Sequence, residues 1–425
     1  MKLAVVGGGS TYTPELVAGL ARERDRLDLS ELVLHDIDRE RREVVGGLAG
    51  RMLSAAGYDG TLSVTDDLER AVDGASFVLI QLRVGGQAAR LTDETVPLAC
   101  GCIGQETTGA GGLGKALRTV PVVLDVAARV RELAADGAWI VDFTNPVGIV
   151  VRALLDAGHR AVGLCNVAIG FQRSIARLLG VDPARVLVDQ VGLNHLTWVR
   201  AVHFDGRDVL PELLAEHAEE LARGTSLPPE ILERLGAIPS YYLRYFYLHD
   251  AVLEEQRTGT PRAQEVADIE RGLLELYRDP QLTTKPALLE RRGGAYYSEA
   301  ATHLIAALAT ADGSVHEVDI RNEGTIAGLA ADDVVEVPAR VGSLGPEPLP
   351  QTALAPELLG LVQHVAAYER LAASAAVTGD RALVYKALLA HPLVGQLEPV
   401  EELTERLLLA GREHLPQFAR SEAVA

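Results

Sequence analysis

The chain has 425 residues and a formal net charge of −19, with 48% hydrophobic and 23% charged residues. That length allows two domains with a substantial core, and the acidic balance argues against nucleic acid and anionic membrane as partners. The apolar stretches are too short for a membrane span, the chain starts directly with a strand so that no signal peptide is expected, and three cysteines (Cys100, Cys102 and Cys165) suggest a reducing cytoplasm.

Lys2–Val6 is a short apolar, β-branched run that suits a buried parallel strand. Gly7, Gly8 and Gly9 follow, and then Thr13-Pro14-Glu15 supplies an N-cap, a proline at the first helical position and an early acid. Strand, glycine turn and helix N-terminus in that order form a phosphate-binding corner, where backbone N–H groups and the helix dipole face an anion. A nicotinamide or flavin dinucleotide is the first cofactor to consider, and a tight turn without a ligand is the alternative. The pattern departs from G-x-G-x-x-G, because Tyr12 stands where the third glycine would be. A second strand over Glu31–Leu34 ends in His35-Asp36-Ile37-Asp38. An acid there can accept hydrogen bonds from an adenosine ribose and would repel a 2′-phosphate, so Asp36 favours NAD over NADP. Arg39, Arg41 and Arg42 nearby pull the other way.

Strands are predicted at 2–6, 31–35, 61–65, 76–81, 138–142 and 160–164, alternating with helices over 14–24, 38–56, 119–136 and 147–157. This alternation gives an α/β fold class, a Rossmann-like doubly wound parallel sheet over residues 1–170. Between Arg83 and Arg118 a glycine-rich segment reads as a long ordered loop serving a site beyond a strand's carboxyl end. The pattern then changes. Paired strands are expected over Val186–Val202 around Asn194-His195, helices over 211–310, a β-rich passage over His316–Val341, terminal helices over 352–414 and ten frayed residues at the end. These form a second, mixed α+β domain, 171–425, which follows without a linker and closes the cleft.

Cys165 and His195 each end a predicted strand. Thiolate and imidazole converging on a cleft would make an incomplete metal site with open positions, whereas a buried inert cysteine and a hydrogen-bonded histidine are the bland reading. Asn145, before Pro146, could orient a nicotinamide and a substrate hydroxyl, or simply form a turn. The run Gly236–Tyr247 is rich in aromatic residues; one tyrosine could serve as a general base if a nearby cation lowered its pKa, or the rings could merely pack. Arg90, Arg262 and Arg292 are candidate anion clamps, though any one arginine taken alone is more commonly a surface ion pair. Glu106 reads as a solvated acid.

Gly7–Leu16, Arg83-Val-Gly-Gly, Gly104-Gln-Glu-Thr-Thr-Gly, Phe143-Thr-Asn-Pro-Val, Cys165-Asn166-Val, Gly192-Leu-Asn-His195, Tyr242-Leu-Arg-Tyr245, Arg262-Ala-Gln-Glu-Val and Arg291–Ser298 span nearly the whole chain. In this order they resemble glycoside hydrolase family 4, the NAD- and divalent-metal-dependent glycosidases, and within it the 6-phospho-β-glucosidases. This family departs from two-carboxylate glycosidase chemistry. The resemblance implies NAD on Gly7, Gly8, Gly9, Ser10, Thr11 and Asp36, and a metal, commonly Mn²⁺, on Cys165 and His195. It implies Tyr242 as the base, with Tyr241 as the second choice, and Glu106 as the acid that makes this tyrosine more basic. Arg90, Asn145, Asn166, Arg262 and Arg292 would hold a small phosphorylated disaccharide or glycoside. Asn166 favours a β-linked substrate. One departure is Ala168, where the β-type pattern reads proline.

The implied mechanism removes a hydride from C3 and a proton from C2, eliminates the aglycone, adds water and returns the hydride. A cytoplasmic homodimer or homotetramer is implied as well. The rival readings are a 2-hydroxy-acid dehydrogenase of related fold, a family member acting on another phosphorylated or α-linked glycoside, and an NAD-sensing module without catalysis.

Overall fold

The computed structural model describes residues 1–294 and 296–419. Its strands are β1 (Lys2–Val6), β2 (Glu31–His35), β3 (Thr61–Thr65), β4 (Phe77–Ile80), β5 (Trp139–Asp142), β6 (Ala161–Gly163), β7 (Val186–Leu193), β8 (Leu196–Phe204), β9 (Arg207–Asp208), β10 (Ile238–Pro239), β11 (Val315–Arg321), β12 (Val334–Gly342) and β13 (Gly345–Pro348). The first six are parallel in the order β3-β2-β1-β4-β5-β6, the doubly wound order of a dinucleotide-binding sheet. Leu3, Ala4, Val5, Val78, Leu79 and Val141 are fully buried, as expected of strands covered on both faces.

The later strands continue this sheet. β11 lies antiparallel beside β6 through Asp319↔Gly163, and β12, β7, β8 and β10 follow, each antiparallel to the last. Gly163 has no side chain because one would collide with Val147, Val151 and Asp319. Most of the sequence between the β7–β8 hairpin and β11 is helical, as predicted. Helices Pro356–Thr378, Arg381–Ala390 and Leu397–Gly411 close the chain. Of the ten residues expected to fray, Pro416–Ala419 form a short helix and 420–425 lie outside the described residues. Among the described residues no helix is long and apolar enough to cross a membrane.

Two expectations need correction. The segment from Arg83 to Arg118 is no long loop: Gly86–Ala99 and Gly109–Leu133 are helices, and only 83–85 and 100–108 are irregular. Its glycines serve close packing. A Cβ on Gly104 would lie 1.9 Å from the Glu94 carbonyl oxygen, and one on Gly111 would lie 2.3 Å from that of Asp93. The first helix starts at Thr13, with Tyr12 rather than Thr13 at the N-cap and no side-chain cap. Thr13 Oγ1 instead accepts a bond from Gln81 Nε2 at 2.9 Å, which ties the glycine corner to the end of β4.

Candidate active site

The glycine corner is built by close approach. Gly7 adopts φ +91°, and a Cβ on it would lie 2.6 Å from the Gln81 carbonyl oxygen; one on Gly8 would lie 2.8 Å from Leu34 Cβ. The Gly9 N–H donates to Asp36 Oδ2 at 2.8 Å, so the acid just beyond β2 faces the glycine turn. Ser10 Oγ accepts from the Tyr12 N–H at 3.2 Å, and Thr11 is fully buried. Tyr12 explains the missing third glycine. Its ring is buried, its hydroxyl donates to the Gly294 carbonyl, Arg292 lies 5.6 Å above it and Tyr297 packs edge-on at 6.4 Å. The helix start is thus closed by a later loop and not by tight backbone packing.

Cys165 follows β6, and Asn166 caps the next helix, Val167–Leu179. The thiol is buried, 3.9 Å from Asn166 Oδ1 and 4.0 Å from Tyr297 Oη. Burial, with Glu336 nearby, pushes it well above the usual thiol range. His195 occupies the two-residue turn between β7 and β8 with φ +64°, a strained position for a non-glycine residue. Neighbouring Asn194 donates to buried Glu336 at 2.9 Å, which holds the turn. His195 Nδ1 meets Thr107 Oγ1 at 3.0 Å, whereas buried Nε2 has no partner. Burial and Lys115 push the imidazole down to about 3, so it is neutral and can serve as a ligand.

Tyr242 lies flat on His195, with centroids 3.7 Å apart and planes 14° apart. Tyr241 points outward, 38% exposed, with its hydroxyl on Arg244. The geometry therefore separates the two candidates and places Tyr242 inside. Burial raises the Tyr242 phenol well above its usual range, and Cys165, Tyr245 and Glu106 add to the rise. Burial thus keeps the phenol protonated at neutral pH, and a bound cation would have to lower its pKa before the tyrosine could act as a base.

Glu106 is not solvated. It is buried among Arg83, Arg90 (3.2 Å) and Lys115 (2.7 Å), which hold it well below the usual carboxylate range against the upward push of burial. Burial and Arg83 push Lys115 down to about 7. Arg90 also pairs with Glu94 at 2.8 Å. Arg292 Nε donates to Thr11 Oγ1 at 2.8 Å and pairs with Glu270 at 3.1 Å. Buried Glu270 additionally holds Arg41 at 2.8 Å and Gln87 at 3.2 Å. In these connected clusters cations outnumber carboxylates, within a chain of charge −19. Asn145, at a cis bond to Pro146, has a buried Oδ1 without a partner.

Arg262 departs from expectation. It is exposed and paired with Glu265 at 2.8 Å, and it reaches the cluster only through the Arg291 and Arg292 carbonyls. Sequence reasoning missed Lys115 and Glu270. A lone lysine inside Gly-Leu-Gly-Lys-Ala-Leu carried a readable signal of a buried charge, whereas Glu270 looks like any surface acid on the helix Arg262–Tyr277. Among the described residues no three His, Cys, Asp or Glu side chains converge on one point.

Residues 2–181 match the model of the family 4 glycosyl hydrolases, and residues 190–394 match that of the family's C-terminal domain. A probable 6-phospho-beta-glucosidase of Bacillus subtilis is 40% identical over 433 residues, covering 98% of each chain. The solved 6-phospho-beta glucosidase of Thermotoga maritima with manganese, NAD⁺ and glucose-6-phosphate is 36% identical, with a TM-score of 0.91 over 97% of this chain and 99% of that one. The malate dehydrogenase of Plasmodium falciparum, 13% identical with a TM-score of 0.52, shares the fold alone. The chain belongs to glycosyl hydrolase family 4.

Proposed function

We propose that this protein hydrolyses 6-phospho-β-glucosides with NAD⁺ and a divalent cation, in the manner that family resemblance implies. The observation that carries the reading is Tyr242 stacked on a neutral His195 whose buried Nε2 has no partner. The residues fit both groups. The glycine corner leaves no room for a Cβ, and the buried, partnerless Nε2 of His195 and the buried Cys165 thiol are the donor types that a divalent cation takes. When bound, NAD⁺ accepts and returns a hydride at C3 of the sugar, and Mn²⁺ polarises the C2 and C3 oxygens.

The chain's own residues supply the rest. Cys165 and His195 hold the cation, and Thr107 fixes the ring's other nitrogen. Tyr242 Oη, deprotonated once a bound cation lowers its pKa, takes the proton from C2, and Glu106 is among the charges that raise the basicity of that phenolate. Arg90 and Arg292, each already oriented by a buried carboxylate, hold the 6-phosphate, with Arg262 at the rim. Asn145 and Asn166 orient the sugar hydroxyls. Asn166 cannot donate a proton as an aspartic acid could, so the leaving group is protonated by water; Asn166→Asp is expected to change the dependence of rate on leaving-group pKa. An unchanged dependence would count against this step. The whole reading is tested with chromogenic glucosides, Mn²⁺, catalytic NAD⁺ and a reductant. Cleavage of the 6-phospho-β-glucoside, and not of its α-linked or unphosphorylated counterpart, supports it; equal cleavage of all three contradicts it.

A further inference from the structure

In a strand–glycine–helix corner, an acid at the end of the second strand suits a ribose 2′-hydroxyl and a nearby arginine suits a 2′-phosphate. This chain carries both kinds of residue, Asp36 followed by Arg39, Arg41 and Arg42. The structure shows where each arginine is spent. Arg39 lies on the surface with Glu43 at 2.8 Å. Arg42 donates to the Asp36 carbonyl at 2.9 Å and pairs with Asp66 at 2.9 Å. Arg41 is different, because its stem lies on the corner itself. A Cβ on Gly9 would lie 2.7 Å from Asp36 Oδ2 and 3.1 Å from Arg41 Cβ. Yet the Arg41 guanidinium turns to Glu270, at 2.8 Å, with Asp38 at 3.9 Å.

Glu270 is 4% exposed and comes from a helix of the second half of the chain, 229 residues after Arg41. Its other oxygen accepts from Thr11 at 3.3 Å and from Arg292 at 3.1 Å. Drawing the Arg41 guanidinium to a phosphate would give up this ion pair and leave the buried carboxylate with Thr11, Gln87 and Arg292 alone as partners. Resting on the reading of this corner as a dinucleotide site, we propose that Glu270 is a cofactor-specificity residue. It retains Arg41, the arginine placed to clamp a 2′-phosphate, and so reinforces the choice that Asp36 makes for the unphosphorylated ribose. Asp36 repels the 2′-phosphate, and Glu270 withholds the group that would attract it. Neither sequence neighbourhood contains the other, so the preference is set jointly by the two halves of the fold.

The test measures NAD⁺ and NADP⁺ binding by calorimetry, without turnover, in the unaltered chain, Asp36→Ser, Asp36→Ser/Glu270→Gln, and that double variant with Arg41→Ala. Glutamine keeps an acceptor oxygen for Thr11 and Arg292 while giving up the charge that holds Arg41. The expected result is that the double variant binds NADP⁺ about tenfold or more tightly than Asp36→Ser alone, and that Arg41→Ala removes the gain. Glu270→Asp, which draws the carboxylate back but keeps its charge, gives a smaller gain of the same sign and serves if the glutamine variant fails to fold. Equal NADP⁺ affinity in the single and double variants overturns the inference, as does a gain that survives Arg41→Ala. Failure of the unaltered chain to bind NAD⁺ overturns the dinucleotide reading and this inference with it.

Discussion

The ring of Tyr242 lies 3.7 Å from the imidazole of His195, nearly parallel to it, while Tyr241 next in sequence turns out to Arg244. Stacking holds the Tyr242 ring against the imidazole whose Nε2 has no partner. Tyr242→Phe is therefore expected to lower kcat by about a hundredfold or more, the contribution of a positioned general base. Tyr241→Phe should stay within a few-fold of the unaltered enzyme. Steady-state rates on a chromogenic 6-phospho-β-glucoside check both, and comparable losses in the two variants would refute the assignment.

Cation binding should follow Cys165, His195 and, more weakly, Thr107. Cys165→Ala should abolish measurable Mn²⁺ binding by titration calorimetry. Thr107→Val, which removes the partner of His195 Nδ1, should weaken it about 10- to 100-fold. A Cys165→Ala variant with undiminished Mn²⁺ affinity would remove the thiol from the site.

The glycines of the Arg83–Arg118 segment should prove structural. Gly104 has its N–H and carbonyl clamped by the Gln256 amide at 3.0 Å each, and a Cβ would meet the Glu94 carbonyl. Gly104→Ala is expected to cost roughly 3 kcal/mol in a urea unfolding experiment. Gly170, inside the helix Val167–Leu179 with nothing within 4 Å of a Cβ, should behave oppositely. Gly170→Ala should stabilise by up to about 1 kcal/mol.

Glu369 and Glu317 each make a contribution to stability that falls as pH rises through the neutral range. Burial pushes Glu369 and Glu317 up to about 8, whereas an unfolded glutamate titrates near about 4.3. The fold favours the protonated form, so this contribution is fully present below about pH 4 and is lost as pH rises to about 8. Between about pH 5 and pH 8.5 the Tm of Glu369→Gln should therefore drop less than that of the unaltered protein. Parallel Tm curves for the two proteins would contradict the shift.

The parallel strands were legible because β-branched apolar runs bounded by glycine and polar residues allow few other readings, and all six appear within a residue or two of expectation. The helices Gly86–Ala99 and Gly109–Leu133 were only partly legible. Glycine reads as a loop former, and nothing local reveals that Gly104 and Gly111 exist to let backbones touch. Cys165 and His195 stood out through residue type at strand ends, whereas the aromatic run left the choice among its tyrosines open and only the family resemblance favoured Tyr242. Burial of a charge is a tertiary fact, and it accounts for the errors on Glu106, read as solvated, and Glu270, passed over. Arg262 carries a clamp-like motif, and the fold leaves it exposed beside Glu265.

The central claim is that the hydride is borrowed and the C2 proton exchanged. Running the reaction on a 6-phospho-β-glucoside in D₂O with Mn²⁺ and catalytic NAD⁺ tests it most directly. Many aglycones released per NAD⁺, with deuterium at C2 of the product sugar, is the predicted result; NADH formed stoichiometrically without cleavage, or cleavage with hydrogen retained at C2, would contradict it.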